Sequence, residues 1–209
     1  DTTDFELVAL TLRGDLVVTS TGGSITQTGA LAITGTSKFT TSTSNEVITL
    51  DVTTNAFTEA VTLNTTGLTG NATVDGGTTQ LDIAASSVGG YLKLTSGNAT
   101  GITDSGIVTV GGNLIVKNDV DNGDIYMDRL AVDGKIALET SGSGGDVTLV
   151  NDAGLDFAES NIGGDLTATA TSGNISDSGK LEVTGATNIY LGTNPILTVS
   201  GATSATDIN

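Results

Sequence analysis

Residues 81–92 read LDIAASSVGGYL, and residues 155–166 read LDFAESNIGGDL. The two stretches are identical at seven of twelve positions, and the second follows the first after a step of about 75 residues. A weaker copy, GDL at residues 14–16, precedes GYL at residues 90–92 by nearly the same step. A fixed period of this length is typical of repeat architectures, so internal similarity decides the fold.

The same period relates other parts of the chain. Residues 24–29 (SITQTG) correspond to residues 101–106 (GITDSG) and to residues 174–179 (NISDSG). Counted from about Gly14, the chain therefore holds about 2.6 copies of a unit of about 75 residues. We divide the chain into units at approximately 14–88, 89–162 and 163–209, all within a single domain that we expect to be part of a longer repeat protein.

A smaller motif recurs inside each unit, in which one polar residue separates two apolar ones. Examples are Leu31 and Ile33, Ile48 and Leu50, Val61 and Leu63, Val108 and Val110, and Ile136 and Leu138. Alternation over three or four residues predicts a short strand with one buried face. Gly, Asn, Asp, Ser and Thr lie between the pairs and favour turns. No helical spacing is present, so the sequence predicts an all-β protein.

Two all-β architectures remain, a β-sandwich or barrel and a β-solenoid. A sandwich core favours large aromatic side chains, whereas this chain has 3% aromatic residues and one Pro. Uniform Leu, Ile and Val layers favour a right-handed parallel β-helix, since parallel crossovers are overwhelmingly right-handed. Coils of about 20–25 residues would give roughly 8–10 coils and a rod about 40–50 Å long.

The composition excludes several functional classes. The net charge is −17, with 24 acidic and 7 basic residues, and the chain has no Cys and no His. Disulfides and thiolate metal sites are therefore absent, and an acidic chain repels nucleic acid and anionic membranes. The apolar runs are too short for a membrane span, and residue 1 onward does not resemble a signal peptide.

Residues 25–35 (ITQTGALAITG) and 175–185 (ISDSGKLEVTG) carry a family resemblance. They are similar to the repeats of filamentous-haemagglutinin-like bacterial exoproteins and adhesins, which are usually exported by two-partner secretion. The resemblance covers nearly the whole chain. It implies a right-handed parallel β-helix, secretion to the bacterial cell surface, and a stalk or adhesive filament.

The tripeptide Arg13-Gly14-Asp15 is one candidate binding site, because cell-surface integrins recognise this sequence. A structural explanation competes with it. Gly and Asp recur before Leu at residues 164–166, so the tripeptide falls on a turn that the repeat itself dictates. We favour the turn.

The densest acidic stretch is a candidate calcium site, formed by Asp119, Asp121 and Asp124. Calcium prefers several converging oxygen ligands, and it is the only cofactor that the sequence suggests. The EF-hand frame fails, since no Glu follows at the required position. We favour solvated turn carboxylates; a calcium site would make the melting temperature depend on calcium. Four Asn-x-Ser/Thr sequons also occur, and there we expect Asn side chains to stack between neighbouring coils.

We expect no catalysis, because the seven basic residues are scattered and no long loop interrupts the repeat to build a cleft. The sequence favours a rigid stalk of a secreted bacterial surface filament or adhesin. Its partners would be neighbouring repeats and a host-cell, glycan or abiotic surface. One alternative is a self-assembling extracellular fibre subunit joined end to end. A second is a polysaccharide-binding or polysaccharide-cleaving β-helix.

Overall fold

The chain folds as a β-solenoid in a computed structural model that describes residues 3–192 and 196–198. The described residues contain 26 strands and no helix, and the strands stack in about nine coils through parallel pairings. The all-β solenoid prediction is confirmed, whereas the right-handed sense of the coil stays a prediction. Within these residues, no helix is long and apolar enough to cross a membrane.

The strands have the following bounds. The first ten are β1 (Phe5–Leu7), β2 (Leu10–Leu12), β3 (Leu16–Ser20), β4 (Ile25–Gln27), β5 (Leu31–Ile33), β6 (Ser37–Thr41), β7 (Ile48–Leu50), β8 (Ala56–Phe57), β9 (Val61–Asn64) and β10 (Ala72–Asp75). The next nine are β11 (Leu81–Ile83), β12 (Ser86–Val88), β13 (Leu92–Ser96), β14 (Ile102–Asp104), β15 (Val108–Val110), β16 (Leu114–Asp121), β17 (Ile125–Val132), β18 (Ile136–Ser141) and β19 (Val147–Asn151). The last seven are β20 (Leu155–Phe157), β21 (Ser160–Ile162), β22 (Leu166–Ala170), β23 (Ile175–Asp177), β24 (Leu181–Val183), β25 (Thr187–Leu191) and β26 (Leu197–Thr198).

Each coil adds one layer to the stack. Val147 pairs with Leu166 in the next coil, and Ile48 pairs with Ala72 in the same way. Since parallel strands lie about 4.8 Å apart, nine coils give a stack roughly 43 Å long. The length agrees with the expectation from the sequence.

Most coils consist of two halves. One half is a bent pair of short strands, such as β4 with β5, and the other half is a longer straight strand, such as β6. We call these the short pair and the long strand. In β17 the two members of the short pair are continuous, and they correspond to residues 125–127 and 130–132.

The core is a single apolar column, mostly aliphatic with a few Phe side chains. Buried and outward side chains alternate along most strands, as in β5, where Leu31 and Ile33 are buried and Ala32 is not. The largest buried side chains include Phe39 and Phe57, whose rings meet edge to face with centroids 6.4 Å apart. Burying this apolar surface stabilises every layer against its neighbours.

Candidate functional site

The tripeptide at residues 13–15 lies at an exposed corner of the first described coil. The Asp15 Oδ1 accepts hydrogen bonds from the backbone N–H and the hydroxyl of Thr36, at 2.8 and 3.0 Å. Asp165 occupies the same place in the third unit and accepts from the N–H of Ala186 at 2.7 Å. One oxygen of the Asp15 carboxylate is thus engaged by the next coil, while integrin binding through residues 13–15 stays a prediction.

The acidic stretch does not form a joint ligand set. Asp119 contacts the Lys117 ammonium at 3.1 Å, while Asp121 accepts from the Ser141 hydroxyl at 2.7 Å. Asp124 accepts from the N–H of Asp146 at 3.0 Å. Residues 3–192 and 196–198 contain no group of three acidic side chains arranged to hold a metal. Calcium binding by these residues therefore stays an untested hypothesis.

Asp and Asn side chains connect neighbouring coils at the corners. Asp124, Asp146 and Asp165 form a column in which each carboxylate accepts from the backbone N–H one coil above. Asn71 and Asn113 do the same for the N–H groups of the residues above them. The prediction that sequon Asn side chains stack on one another between adjacent coils is wrong at Asn71, because its partner in the next coil is a backbone N–H rather than a second Asn side chain. This arrangement satisfies donors that a tight corner would otherwise leave unpaired.

Of the four sequon asparagines, three make side-chain hydrogen bonds of this kind or within their turn. Asn71 and Asn174 accept from an N–H in the coil above, and Asn98 accepts from the N–H of Thr100 and donates to the Thr78 carbonyl. Asn64 lies in a strand beside Ser87. Corner geometry thus explains the amides of Asn71, Asn98 and Asn174.

A surface groove is a candidate binding site. It has a volume of about 560 Å³. It runs over the outward faces of five successive strands in the stack, β13, β16, β18, β21 and β24. Its side chains are mainly charged or amide groups around a small apolar floor. They are Lys93, Ile115, Lys117, Ala137, Glu139, Glu159, Asn161, Lys180 and Glu182.

The electrostatics of the groove differ from those of the whole chain. Three of the seven basic residues, Lys93, Lys117 and Lys180, line it. Lys117 bridges Asp119 and Glu139, both at 3.1 Å, and the hydrogen bond to Asp119 is the main cause of its raised pKa. Lys180 pairs with Glu182, whereas Lys93 makes no ion pair with any described residue. The Lys93 ammonium is the cation left available to a ligand.

A second depression lies around the buried carboxylate of Asp104. Its volume is about 390 Å³, and Glu59, Asp82 and Arg129 contribute to its walls. The Asp104 carboxylate accepts from the N–H groups of Asp128 and Arg129, both at 2.9 Å. Burial raises the pKa of Asp104, and the two backbone hydrogen bonds oppose that shift. Because both oxygens already have partners, we interpret this carboxylate as a structural group that holds the corner of the next coil in place.

The groove was missed from the sequence because its residues come from five coils. Lys93 and Lys180 belong to different sequence units and share no motif. Lys93 lies at an outward position of β13 and Lys180 at an exposed corner before β24, and no sequence signal relates the two.

Comparison with known families gives one match. A family model described as repeats of unknown function (DUF5649) matches residues 1–64, 69–139 and 144–202. The second and third matched segments begin at positions 69 and 144, a spacing that agrees with the period of the sequence. No curated protein and no solved structure matches the chain.

Proposed function

The chain belongs to the DUF5649 family of repeats of unknown function, and from that premise we propose that it is a rigid structural segment of a secreted bacterial surface filament or adhesin. Its task is to hold whatever lies beyond it at a fixed distance from the cell. No chemical step is required of it.

The observation that carries this proposal is the uninterrupted stacking of the coils. Every coil is joined to the next by parallel backbone pairing, and one apolar column runs through all of them. In repeat proteins of this kind each repeat contacts only its nearest neighbours, so the stiffness of the array results from many similar interfaces. A long array of such units would therefore behave as a rod.

Two further features support an extracellular place. The corner and outward positions are rich in Thr, Ser, Asn and Asp, and the net charge of −17 keeps parallel rods apart. Residues 25–35 and 175–185 resemble the repeats of filamentous-haemagglutinin-like exoproteins. The resemblance favours export by two-partner secretion and a role in adhesion.

The location is tested by antibody labelling of bacteria that carry the gene. We expect an antibody raised against this chain to label intact, unpermeabilised cells and to label them equally after permeabilisation. Labelling that appears only after permeabilisation would contradict the proposal. Sedimentation of the purified chain at rising concentration separates a stalk, which stays monomeric, from an end-to-end fibre subunit, which lengthens.

The groove favours a second candidate function, polysaccharide binding. Its walls offer amide and charged groups to sugar hydroxyls, and the Lys93 ammonium is free to meet a carboxylate or sulfate. We expect Lys93→Ala to abolish binding on a glycan array if this function is correct. Lys38→Ala is the matched control, because Lys38 is also exposed on a long strand but lies outside the groove. Equal loss in both variants, or no binding by the parent chain, would exclude the groove.

A further inference from the structure

The sequence unit does not contain a whole number of coils. From Leu81 to Gly154 the chain makes a short pair, a long strand, a second pair, a second long strand, a third pair and then two long strands in succession. When each unit is counted from a short pair, rather than from residue 14 or 89 as in the division by sequence, the first unit starts at Phe5 and has the same order. Each unit therefore contains seven half-coils, or three and a half coils.

The second of the two successive long strands stacks on the side that short pairs occupied before. From there on, short pairs and long strands have changed sides of the solenoid. At the first boundary, long strand β10 stacks on short strand β7 with Thr73 beside Thr49, and long strand β13 follows with Lys93 beside Thr73. On the opposite side the new short pair covers the old long strand β9, with Ile83 beside Val61.

The second boundary repeats this exchange. Long strand β19 stacks on the short-pair strand β17 with Thr148 beside Tyr126, and β22 continues with Thr167 beside Thr148. The short pair β20 and β21 covers the long strand β18, with Phe157 beside Ile136. The exchanging strands are β10 and β19. The other long strands of the first and third units lie in one sheet (β3, β6, β9, β22 and β25), and those of the second unit lie in the other (β13, β16 and β18).

The same side chains build both boundaries. The Thr65 and Thr140 hydroxyls donate to the carbonyls of Gly70 and Gly145, which closes the turn between the two long strands. Within each turn a glycine has positive φ, which is 86° at Gly67 and 76° at Gly142.

A serine then spans each place where one strand is covered by two. The Ser86 hydroxyl accepts from the N–H of Leu63 and donates to the Ala84 carbonyl. Ser160 makes the equivalent bonds to Leu138 and Ala158. Recurrence of the whole device one period later indicates that the exchange is a property of the unit rather than an accident of one coil.

We infer that successive units are turned by half a coil, so that equivalent surfaces face opposite sides of the rod. One unit advances the rod by about 17 Å, and the same surface returns to the same side after two units and about 34 Å. Any ligand that recognises a surface shared by the units is thus presented with sites in two opposite directions. For adhesion, which rests on the proposed function, such a rod can bridge two bodies that lie on either side of it.

Disulfide trapping tests the half-turn directly, because the chain has no Cys. Outward residues on adjacent parallel strands lie within the Cα separation that a disulfide accepts. We expect Thr49→Cys with Thr73→Cys to close on mild oxidation, and Thr49→Cys with Asp82→Cys to keep both thiols. A unit of whole coils would stack the new short pair on the old one and reverse this result, which would overturn the inference. Tyr126→Cys with Thr148→Cys or with Asp156→Cys repeats the test at the second boundary.

Bivalent capture tests the presentation separately from any biological role. Val17, Lys93 and Thr167 are equivalent outward positions in the three units. Short desthiobiotin labels, each of which binds streptavidin reversibly, at Val17→Cys and Thr167→Cys should bind a streptavidin surface together and dissociate at least tenfold more slowly than either single label. Labels at Val17→Cys and Lys93→Cys should dissociate like a single label. Slow dissociation of the Val17 and Lys93 pair, or no slowing for the Val17 and Thr167 pair, would overturn the inference even if the rod proves to be an adhesin.

Discussion

Replacing Ser86 by Ala should measure how much the boundary device stabilises the solenoid. Ser86 is 6% exposed, and its hydroxyl accepts from the Leu63 N–H at 3.0 Å and donates to the Ala84 carbonyl at 2.7 Å. Alanine leaves the buried Leu63 N–H without a partner, which costs about 1–3 kcal/mol of unfolding free energy. For a chain of this size each kcal/mol lowers the melting temperature by about 2–4 °C.

Urea unfolding followed by circular dichroism gives the free energy, and hydrogen exchange at the Leu63 amide gives the local effect. Ser87→Ala is the matched control, since Ser87 lies in the same strand with an exposed side chain. We expect that control to stay within about 0.5 kcal/mol of the parent chain. Equal stability of the two variants, or unchanged exchange at Leu63 in Ser86→Ala, would refute the role assigned to the serine.

Three other outcomes follow from the structure. Gly101 has a φ of 90°, and a Cβ added there would overlap the Asp124 carbonyl, so Gly101→Ala should lower the free energy of unfolding in urea by more than about 1 kcal/mol. Gly14 has open space around it, so the control Gly14→Ala should be neutral or stabilising. Burial raises the pKa of Asp104 and Asp75, so the folded state binds more protons than the unfolded chain just above pH 4; the melting temperature should fall as pH rises through that range, and a rise would contradict the assignment. Adding a calcium chelator should leave the melting temperature unchanged, and a drop would revive the calcium hypothesis.

Most of the architecture could be predicted from the sequence because packing restricts the buried positions. The alternation at Leu31 and Ile33, or at Val61 and Leu63, gives the strand and its buried face, and the recurrence of the unit gives the stacking. Both follow from local chemistry that every coil repeats. The family match begins its copies at the same period.

The exchange of sides could not be predicted from period alone. A unit of about 75 residues is compatible with whole or half coils, and the difference depends on whether a short pair or a long strand follows β9 and β18. The signal lies in the glycine-rich turns at residues 66–70 and 141–145, which join two long strands directly. Recognising it requires the pairing register, because glycine-rich turns occur at other corners too.

The candidate sites were harder to predict, for a different physical reason. The Asp15 carboxylate and the acidic residues 119–124 have partners in the neighbouring coil, which sequence neighbours do not reveal. The groove is built from outward side chains that no packing rule restricts. Sequence patterns therefore predict the interior of a solenoid better than its surface chemistry.

The most direct test of the stacked-rod account is small-angle scattering before and after one unit is added. Insertion of a second copy of residues 81–154 after Gly154 adds seven half-coils. The account predicts that the maximum dimension increases by about 17 Å while the cross-sectional radius of gyration stays constant. A cross-section that grows with the added unit, at little gain in length, would show a globular packing and contradict the account.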